Sequence, residues 1–142
     1  EARQHGLLQL IEHPQHAELH YEVASLHDMQ GREAQAIPLY QKAIRLGLGE
    51  ASLRGAWLGL GSSYRCTGQY AEALAAFDQG LARFPDATEF RVFRAMACYS
   101  LGHHKEGMET LLAVLAETTA EPTLVPYRRA MALYAADLDR RW

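Results

Sequence analysis

The chain has 142 residues, the length of one compact domain, and 49% of them are apolar, which is enough for a core and excludes intrinsic disorder. Its 14 basic and 17 acidic residues give a net charge of -3, and the basic residues are scattered rather than gathered into the stripe that nucleic-acid binding needs. The apolar set holds 23 Ala and 20 Leu against 4 Val and 3 Ile, which favours helix over strand. These counts predict an all-α domain that does not bind nucleic acid.

The sequence contains no apolar run of the roughly 18 residues needed to cross a bilayer, so we expect no membrane partner. Its two cysteines, Cys66 and Cys98, are too few for a disulfide framework, which favours a reducing compartment. The expected location is therefore cytoplasmic.

Helical spacing of apolar residues runs through most of the chain. In chain order it predicts a short helix over 2–12, three helix pairs, and a last helix over 123–141. The pairs are expected at 15–30 with 33–46, at 51–67 with 70–83, and at 88–101 with 104–117. Gly31, Gly68 and Gly102 each follow the first helix of a pair, where a left-handed residue commonly ends a helix. Pro38 falls early in its helix and is expected to bend it without ending it.

The central pair carries a spaced set of aromatic, small and apolar residues: Trp57, Leu60, Gly61, Tyr64, Gly68, Tyr70, Ala73, Phe77, Leu81 and Pro85. This set resembles the consensus of a tetratricopeptide repeat, of the kind found in small bacterial-type proteins of that family. A forward shift of 34 residues aligns Ala95 with Gly61, and a backward shift of 37 aligns Ala24 with Gly61. The resemblance gives three repeats, over about 17–50, 54–87 and 88–121.

The resemblance implies a right-handed α-solenoid of about three helix-turn-helix pairs, forming a single domain over 1–142. Stacked pairs leave both ends of a solenoid open, so the helices over 2–12 and 123–141 are expected to cap them. The resemblance also implies a non-catalytic protein-protein interaction module that binds a peptide or helix of a partner protein and needs no cofactor.

In this family the first helix of each pair lines a groove on the inner side of the solenoid. The residues that the resemblance places there, which we call the concave face, are Tyr21, Ser25, Asp28, Leu58, Ser62, Arg65, Val92, Met96 and Tyr99. Family members that hold a C-terminal carboxylate use Lys, Asn and Arg at such positions, and this chain does not, so a carboxylate clamp is not expected. The apolar members, Tyr21, Leu58, Val92, Met96 and Tyr99, are expected to be exposed in an empty groove and to be covered by a partner segment, the chain's own last helix or a second copy.

The predicted last helix has an apolar stripe of Leu124, Tyr127, Met131, Tyr134 and Leu138, with Trp142 four residues further on. A second apolar face of Val125, Ala132, Leu133 and Ala136 exceeds what a cap requires. That second face is consistent with a homodimer surface and equally with packing into the stack.

Four of the seven histidines, His13, His16, His20 and His27, lie in the first repeat or just before it. His16 and His20 are four residues apart and would share a helix face, as a divalent metal site requires, but no acidic residue completes the set. Packing or surface roles are therefore favoured over a metal-binding protein. The sequence offers no nucleophile motif and no phosphate-binding loop, so we expect no enzyme; the other alternative is a structural homo-oligomer whose groove is self-occupied.

Overall fold

The computed structural model describes residues 2–141, and it is helical throughout, with no strand in that range. Its helices are α1 (Ala2–Glu12), α2 (Ala17–Met29), α3 (Glu33–Leu46), α4 (Glu50–Cys66), α5 (Tyr70–Arg83), α6 (Thr88–Ser100), α7 (His104–Thr118) and α8 (Arg128–Ala136). The single domain predicted over 1–142 includes Glu1 and Trp142, which lie outside the described residues, so the place given to Trp142 stays a prediction.

Helices pack in the order in which they follow one another along the chain. α2 pairs with α3, α4 with α5 and α6 with α7, while α3 packs on α4 and α5 on α6. The first helices of successive pairs also touch, α2 on α4 and α4 on α6. Left-handed backbone at Gly31 (φ 72°), Gly68 (φ 81°) and Gly102 (φ 84°) turns each pair, as predicted. The all-α solenoid is confirmed.

The helix pairs share two apolar clusters rather than one central core. The first is built around Tyr40 and Leu60, and the second around Phe77 and Phe90. Trp57 is half-buried and packs against both clusters. The interior is therefore continuous from the first repeat to the third.

Close approach of α4 to α5 depends on a glycine. Gly61 is buried against the ring of Phe77, and a Cβ atom at position 61 would collide with that ring. A helix face that receives a large aromatic ring at such short range has room only for hydrogen.

The helix predicted over 123–141 is wrong in its extent, because α8 covers only Arg128–Ala136. A short 3₁₀ turn, Val125–Tyr127, precedes α8. Pro126 in that turn lacks a backbone N–H and disfavours helical backbone at the residue before it. At the other end the backbone of Asp137 is extended, and its carboxylate lies 2.8 Å from the Lys105 ammonium of α7.

The apolar stripe predicted for the last helix is covered only in part, because Leu124 and Met131 are half-buried while Tyr127, Tyr134 and Leu138 are exposed. Ala135 is the residue that α8 buries, with 8% of its surface exposed, whereas Tyr134 is 46% exposed and Tyr127 is 61% exposed. Ala135 sits beside Glu109 and Ala113 of α7, where a small side chain lets the two helices approach closely. The Ala-rich helix α8 thus buries an alanine, Ala135, which shares a helix face with the half-buried Met131.

Candidate protein-binding surface

The concave face is carried by α2, α4 and α6, which lie side by side along the stack. Of its nine residues, Tyr99 is 65% exposed and the other eight are half-buried. The predicted row of exposed apolar side chains is therefore wrong for four of its members, which are partly covered by neighbouring helices: Tyr21, Leu58, Val92 and Met96.

Tyr21 shows why the concave face is more closed than the sequence suggested. Its phenol lies directly against Gly55 of the next first helix, α4, where any side chain would collide with it. Its ring centroid is 6.2 Å from that of Tyr40. Tyr21 therefore fills the gap between the first and second repeats, and its ring contributes to packing as well as to surface.

The charged residues of the concave face are engaged within the solenoid. Asp28 accepts a hydrogen bond from the Tyr40 hydroxyl at 3.0 Å. Burial raises the pKa of Asp28 above its ordinary value; the bond from Tyr40 opposes that rise and the nearby Glu33 carboxylate adds to it. These contacts tie the end of α2 to α3.

Arg65 acts as a link between repeats. Its Nε donates to the Met96 carbonyl oxygen at 3.3 Å and to the Ser100 hydroxyl at 3.2 Å, so it joins α4 to α6. A guanidinium held in this way fixes the spacing of the two helices on which the concave face is built. The sequence pattern assigned Arg65 to the partner, whereas the geometry gives it an internal role.

The open part of the concave face is at its C-terminal end. The ring of Tyr99 stacks on the imidazole of His104, with 5.1 Å between ring centroids. His104 is the first residue of α7 and is itself exposed. An exposed, stacked aromatic pair offers a partner a rigid apolar surface with polar edges.

A second surface, which sequence reasoning missed, lies on the opposite side of α4. A cavity of about 420 Å³ opens between α3 and α5, and we call it the α3–α5 groove: Gln41, Ile44, Arg45, Trp57, Leu60, Tyr64, Glu72, Ala75, Ala76 and Gln79. Trp57, Leu60 and Tyr64 belong to the spaced set of the repeat and also line this groove. The signal that could have revealed the groove is the pair Ala75 and Ala76, whose small side chains leave the floor uncovered.

Two of the four histidines in or just before the first repeat, His16 and His20, are engaged by the backbone of α2. His16 Nδ1 accepts from the Leu19 N–H at 3.1 Å and so caps the helix, and His20 Nδ1 lies 2.8 Å from the His16 carbonyl oxygen. His20 is buried. Within residues 2–141 no three His, Cys, Asp or Glu side chains are placed to hold a metal ion.

The fold defines an α-helical repeat protein in which the first helices of successive pairs also pack on one another. The family model described as "Tetratrico peptide repeat" matches residues 17–138, and the chain belongs to the tetratricopeptide repeat family. A comparison with curated proteins gave no match. Repeats of this family generally mediate protein-protein interaction and are generally not enzymes. Among the described helices, none combines the length and the apolar character that a bilayer crossing demands.

Proposed function

We propose that this chain is a non-catalytic adaptor that holds a segment of a partner protein against its concave face. The observation that carries the proposal is the combination of a fixed frame with an apolar surface. Arg65 sets the distance between α4 and α6, and the side chains of Leu58 and Met96 remain partly open on that frame. A surface that is already rigid binds without an ordering cost of its own.

The chemistry of the surface indicates an apolar partner segment rather than a charged terminus. Asp28 and Arg65 are occupied by Tyr40 and by α6. The exposed Tyr99 and three half-buried apolar residues remain available to a partner: Leu58, Val92 and Met96. An extended or helical segment that presents two or three apolar side chains fits this arrangement. The stacked ring of Tyr99 would anchor one end of it.

The cellular setting belongs to the same proposal. Both cysteines are free thiols, Cys66 exposed and Cys98 buried, which supports a reducing compartment. We accordingly place the adaptor in the cytoplasm, with protein rather than nucleic acid as its partner.

The proposal is tested by selecting a partner segment and then asking which face it needs. A peptide library displayed on phage is panned against the chain, and the selected peptide is titrated calorimetrically against two variants. Met96→Asp places a charge on the concave face, and Ala75→Asp, the matched control, places the same charge in the α3–α5 groove. Each variant is first shown to be helical by circular dichroism.

We expect Met96→Asp to weaken peptide binding at least tenfold and Ala75→Asp to leave it unchanged. Because Met96 is half-buried, Tyr99→Ser at an exposed position gives a second test of the same face. Loss of binding in Ala75→Asp with normal binding in both concave-face variants would move the partner site to the α3–α5 groove.

A further inference from the structure

The α3–α5 groove combines aromatic rings with small side chains. Trp57 and Tyr64, both half-buried, line it beside the methyl groups of Ala75 and Ala76. Its volume of about 420 Å³ lies within the range of cavities that hold small molecules, about 300 to 1,000 Å³. Ring faces beside small residues give the apolar part of a ligand a surface on which to lie. The groove is therefore large enough and apolar enough for a small molecule.

Two opposite charges stand on the two walls of this groove. Arg45 belongs to α3 and Glu72 to α5, and both side chains are exposed. Neither of them forms an ion pair with any residue between 2 and 141. Each charge is therefore available to an oppositely charged group of a ligand.

The groove between α5 and α7 has charges too, but they are matched inside the chain. Arg91 lies 2.6 Å from Glu117, and Arg94 lies 2.7 Å from Asp78. The carboxylate of Glu109 accepts a backbone N–H just after α8 at 2.9 Å. The unmatched pair of charges is thus particular to the α3–α5 groove and is not a general property of the repeat.

The two unmatched charges lie at opposite ends of the groove, because consecutive helices joined by short loops run antiparallel. Arg45 is close to the end of α3, which meets the start of α4, so it lies toward Trp57. Glu72 is close to the start of α5, which meets the end of α4, so it lies toward Tyr64. The two aromatic residues are separated along α4 by about 10 Å, at 1.5 Å per residue. A ligand that reaches both charges needs its anion and its cation at opposite ends of an apolar body.

Uncharged polar groups lie between these two ends. Gln41 Nε2 donates to the Tyr64 hydroxyl oxygen at 2.6 Å. The hydroxyl is the acceptor in this bond, so its own hydrogen remains to be donated to a ligand. The amide of Gln79 lines the same groove. These groups suit a carbonyl or amide in the middle of a ligand.

We propose that the α3–α5 groove binds a small zwitterionic molecule with an apolar body, of the class of free peptides of two or three residues. The carboxylate of the ligand pairs with Arg45, its ammonium group pairs with Glu72, and its apolar side chain lies on the rings of Trp57 and Tyr64. Three extended residues span up to about 10 Å, which matches the separation of the two ends. A segment inside a longer chain lacks the two terminal charges and leaves Arg45 and Glu72 unmatched.

The test uses the tripeptide Gly-Phe-Gly as the probe molecule and tryptophan fluorescence as the signal. The chain has two tryptophans, so Trp142→Phe leaves only Trp57, which lines the groove. We expect the emission of Trp57 to change saturably as the tripeptide is added, with a Kd between about 10 μM and 1 mM.

Blocking one charge of the tripeptide identifies its partner in the protein. N-acetylation and C-amidation should each weaken binding at least fivefold in the Trp142→Phe chain. In an added Arg45→Gln variant, amidation should make no further difference, and in Glu72→Gln, acetylation should make none. Arg91→Gln, the matched control in the groove between α5 and α7, should bind like the parent chain.

Both substituted side chains are exposed, and circular dichroism checks that each variant is helical. The proposal is overturned if the emission of Trp57 stays constant up to about 10 mM tripeptide. Equal binding of the free tripeptide and of the same tripeptide capped at both ends would assign the groove to a segment of a longer chain instead. A loss on amidation that is as large in Arg45→Gln as in the parent would also contradict the proposal.

This inference does not rest on the proposed partner site, because the groove lies on second helices and the concave face on first helices. Ala75→Asp should weaken binding of the tripeptide and Met96→Asp should leave it unchanged, the reverse of the pattern expected for the peptide selected on phage. Failure of one proposal is therefore distinguishable from failure of the other.

Discussion

The two grooves between successive second helices have the same backbone setting and opposite chemistry. The α3–α5 groove has Trp57 and Leu60 on its floor, while the equivalent groove between α5 and α7 has Arg91 and Arg94 at the corresponding positions. Ala135 of α8 lines the second groove, and both grooves hold an open cavity, of about 420 Å³ in the first and about 490 Å³ in the second. The comparison shows that the repeat accepts either apolar or charged side chains at these two equivalent positions.

The ion pairs of the third repeat show how arginine fills that position. Arg94 lies 2.7 Å from Asp78 of α5 and 3.1 Å from Glu106 of α7, and it thereby joins two second helices. Arg91 lies 2.6 Å from Glu117. The second repeat has Trp57 and Leu60 at these positions. The third repeat has two arginines instead, and the charge of each arginine is matched by a carboxylate.

The largest expected difference between the two repeats is at Trp57 and its equivalent, Arg91. Trp57→Ala should destabilise the domain by about 3 to 5 kcal/mol, because it removes a side chain that packs on both apolar clusters. Arg91→Ala should cost about 0 to 1 kcal/mol, since it breaks one surface ion pair. Denaturant titration measures the free energy of unfolding of both variants. A loss below about 1 kcal/mol for Trp57→Ala would show that Trp57 is not part of the core.

A smaller effect is expected where glycine faces a large ring. The second repeat pairs Gly61 with Phe77, and the third has Ala95 and Leu111 at the equivalent positions. Gly61→Ala should cost about 1 to 3 kcal/mol, because the new methyl group collides with the ring. In a Phe77→Leu background, which copies the third repeat, the same change should cost less.

A double-mutant cycle at equilibrium measures this coupling between positions 61 and 77. If the changes in unfolding free energy caused by Gly61→Ala and Phe77→Leu simply add in the double variant, the ring of Phe77 does not restrict the size of residue 61.

Replacing Arg94 by leucine, the residue at the equivalent position of the second repeat, should have little effect on stability. Arg94→Leu, which places the equivalent of Leu60 there, exchanges two ion pairs for apolar burial and should change the free energy of unfolding by less than about 1 kcal/mol. The hydrogen bond from Arg94 lowers the pKa of Glu106, so that pKa should rise in the variant. An NMR titration of Glu106 checks the pKa; an unchanged value would mean that Arg94 does not contact it in solution.

The smallest effect is expected at Asp28, which occupies in the first repeat the position that Arg65 occupies in the second. Burial raises the pKa of Asp28, so its contribution to stability increases as pH falls through the folded-state pKa and is lost as pH rises. Asp28→Asn keeps an acceptor for Tyr40 and removes the charge; at pH 7 it should be neutral or stabilising by up to about 1 kcal/mol. As pH is lowered, the Tm of the wild type should rise relative to the Tm of Asp28→Asn. A Tm of the wild type that falls relative to the variant would contradict the buried-charge account.

The repeat architecture was predictable because its determinants are local. The turn between the two helices of a pair contains a residue with left-handed backbone, and Gly31, Gly68 and Gly102 mark these turns in the sequence. The apolar spacing of Trp57 and Phe77 then identifies which helix faces meet. The C-terminal region was predicted poorly, because Pro126 delays α8 and the Ala-rich helix has two faces of nearly equal apolar character.

The concave face was predictable in position but not in exposure. Whether Tyr21 is open depends on the absence of a side chain at Gly55, 34 residues away in another helix. Whether Arg65 is free depends on the distance to Met96 and Ser100 in the next repeat. Neither relation follows from periodicity, since both are set by the spacing between helices.

The central claim is that a partner segment binds where α2, α4 and α6 lie side by side. The most direct measurement is a titration of isotope-labelled protein with the selected peptide, followed by amide NMR shifts. The account predicts the largest shifts around Leu58, Met96 and Tyr99. Shifts concentrated at Gln41, Arg45 and Gln79, with α6 unaffected, would contradict it and place the partner in the α3–α5 groove.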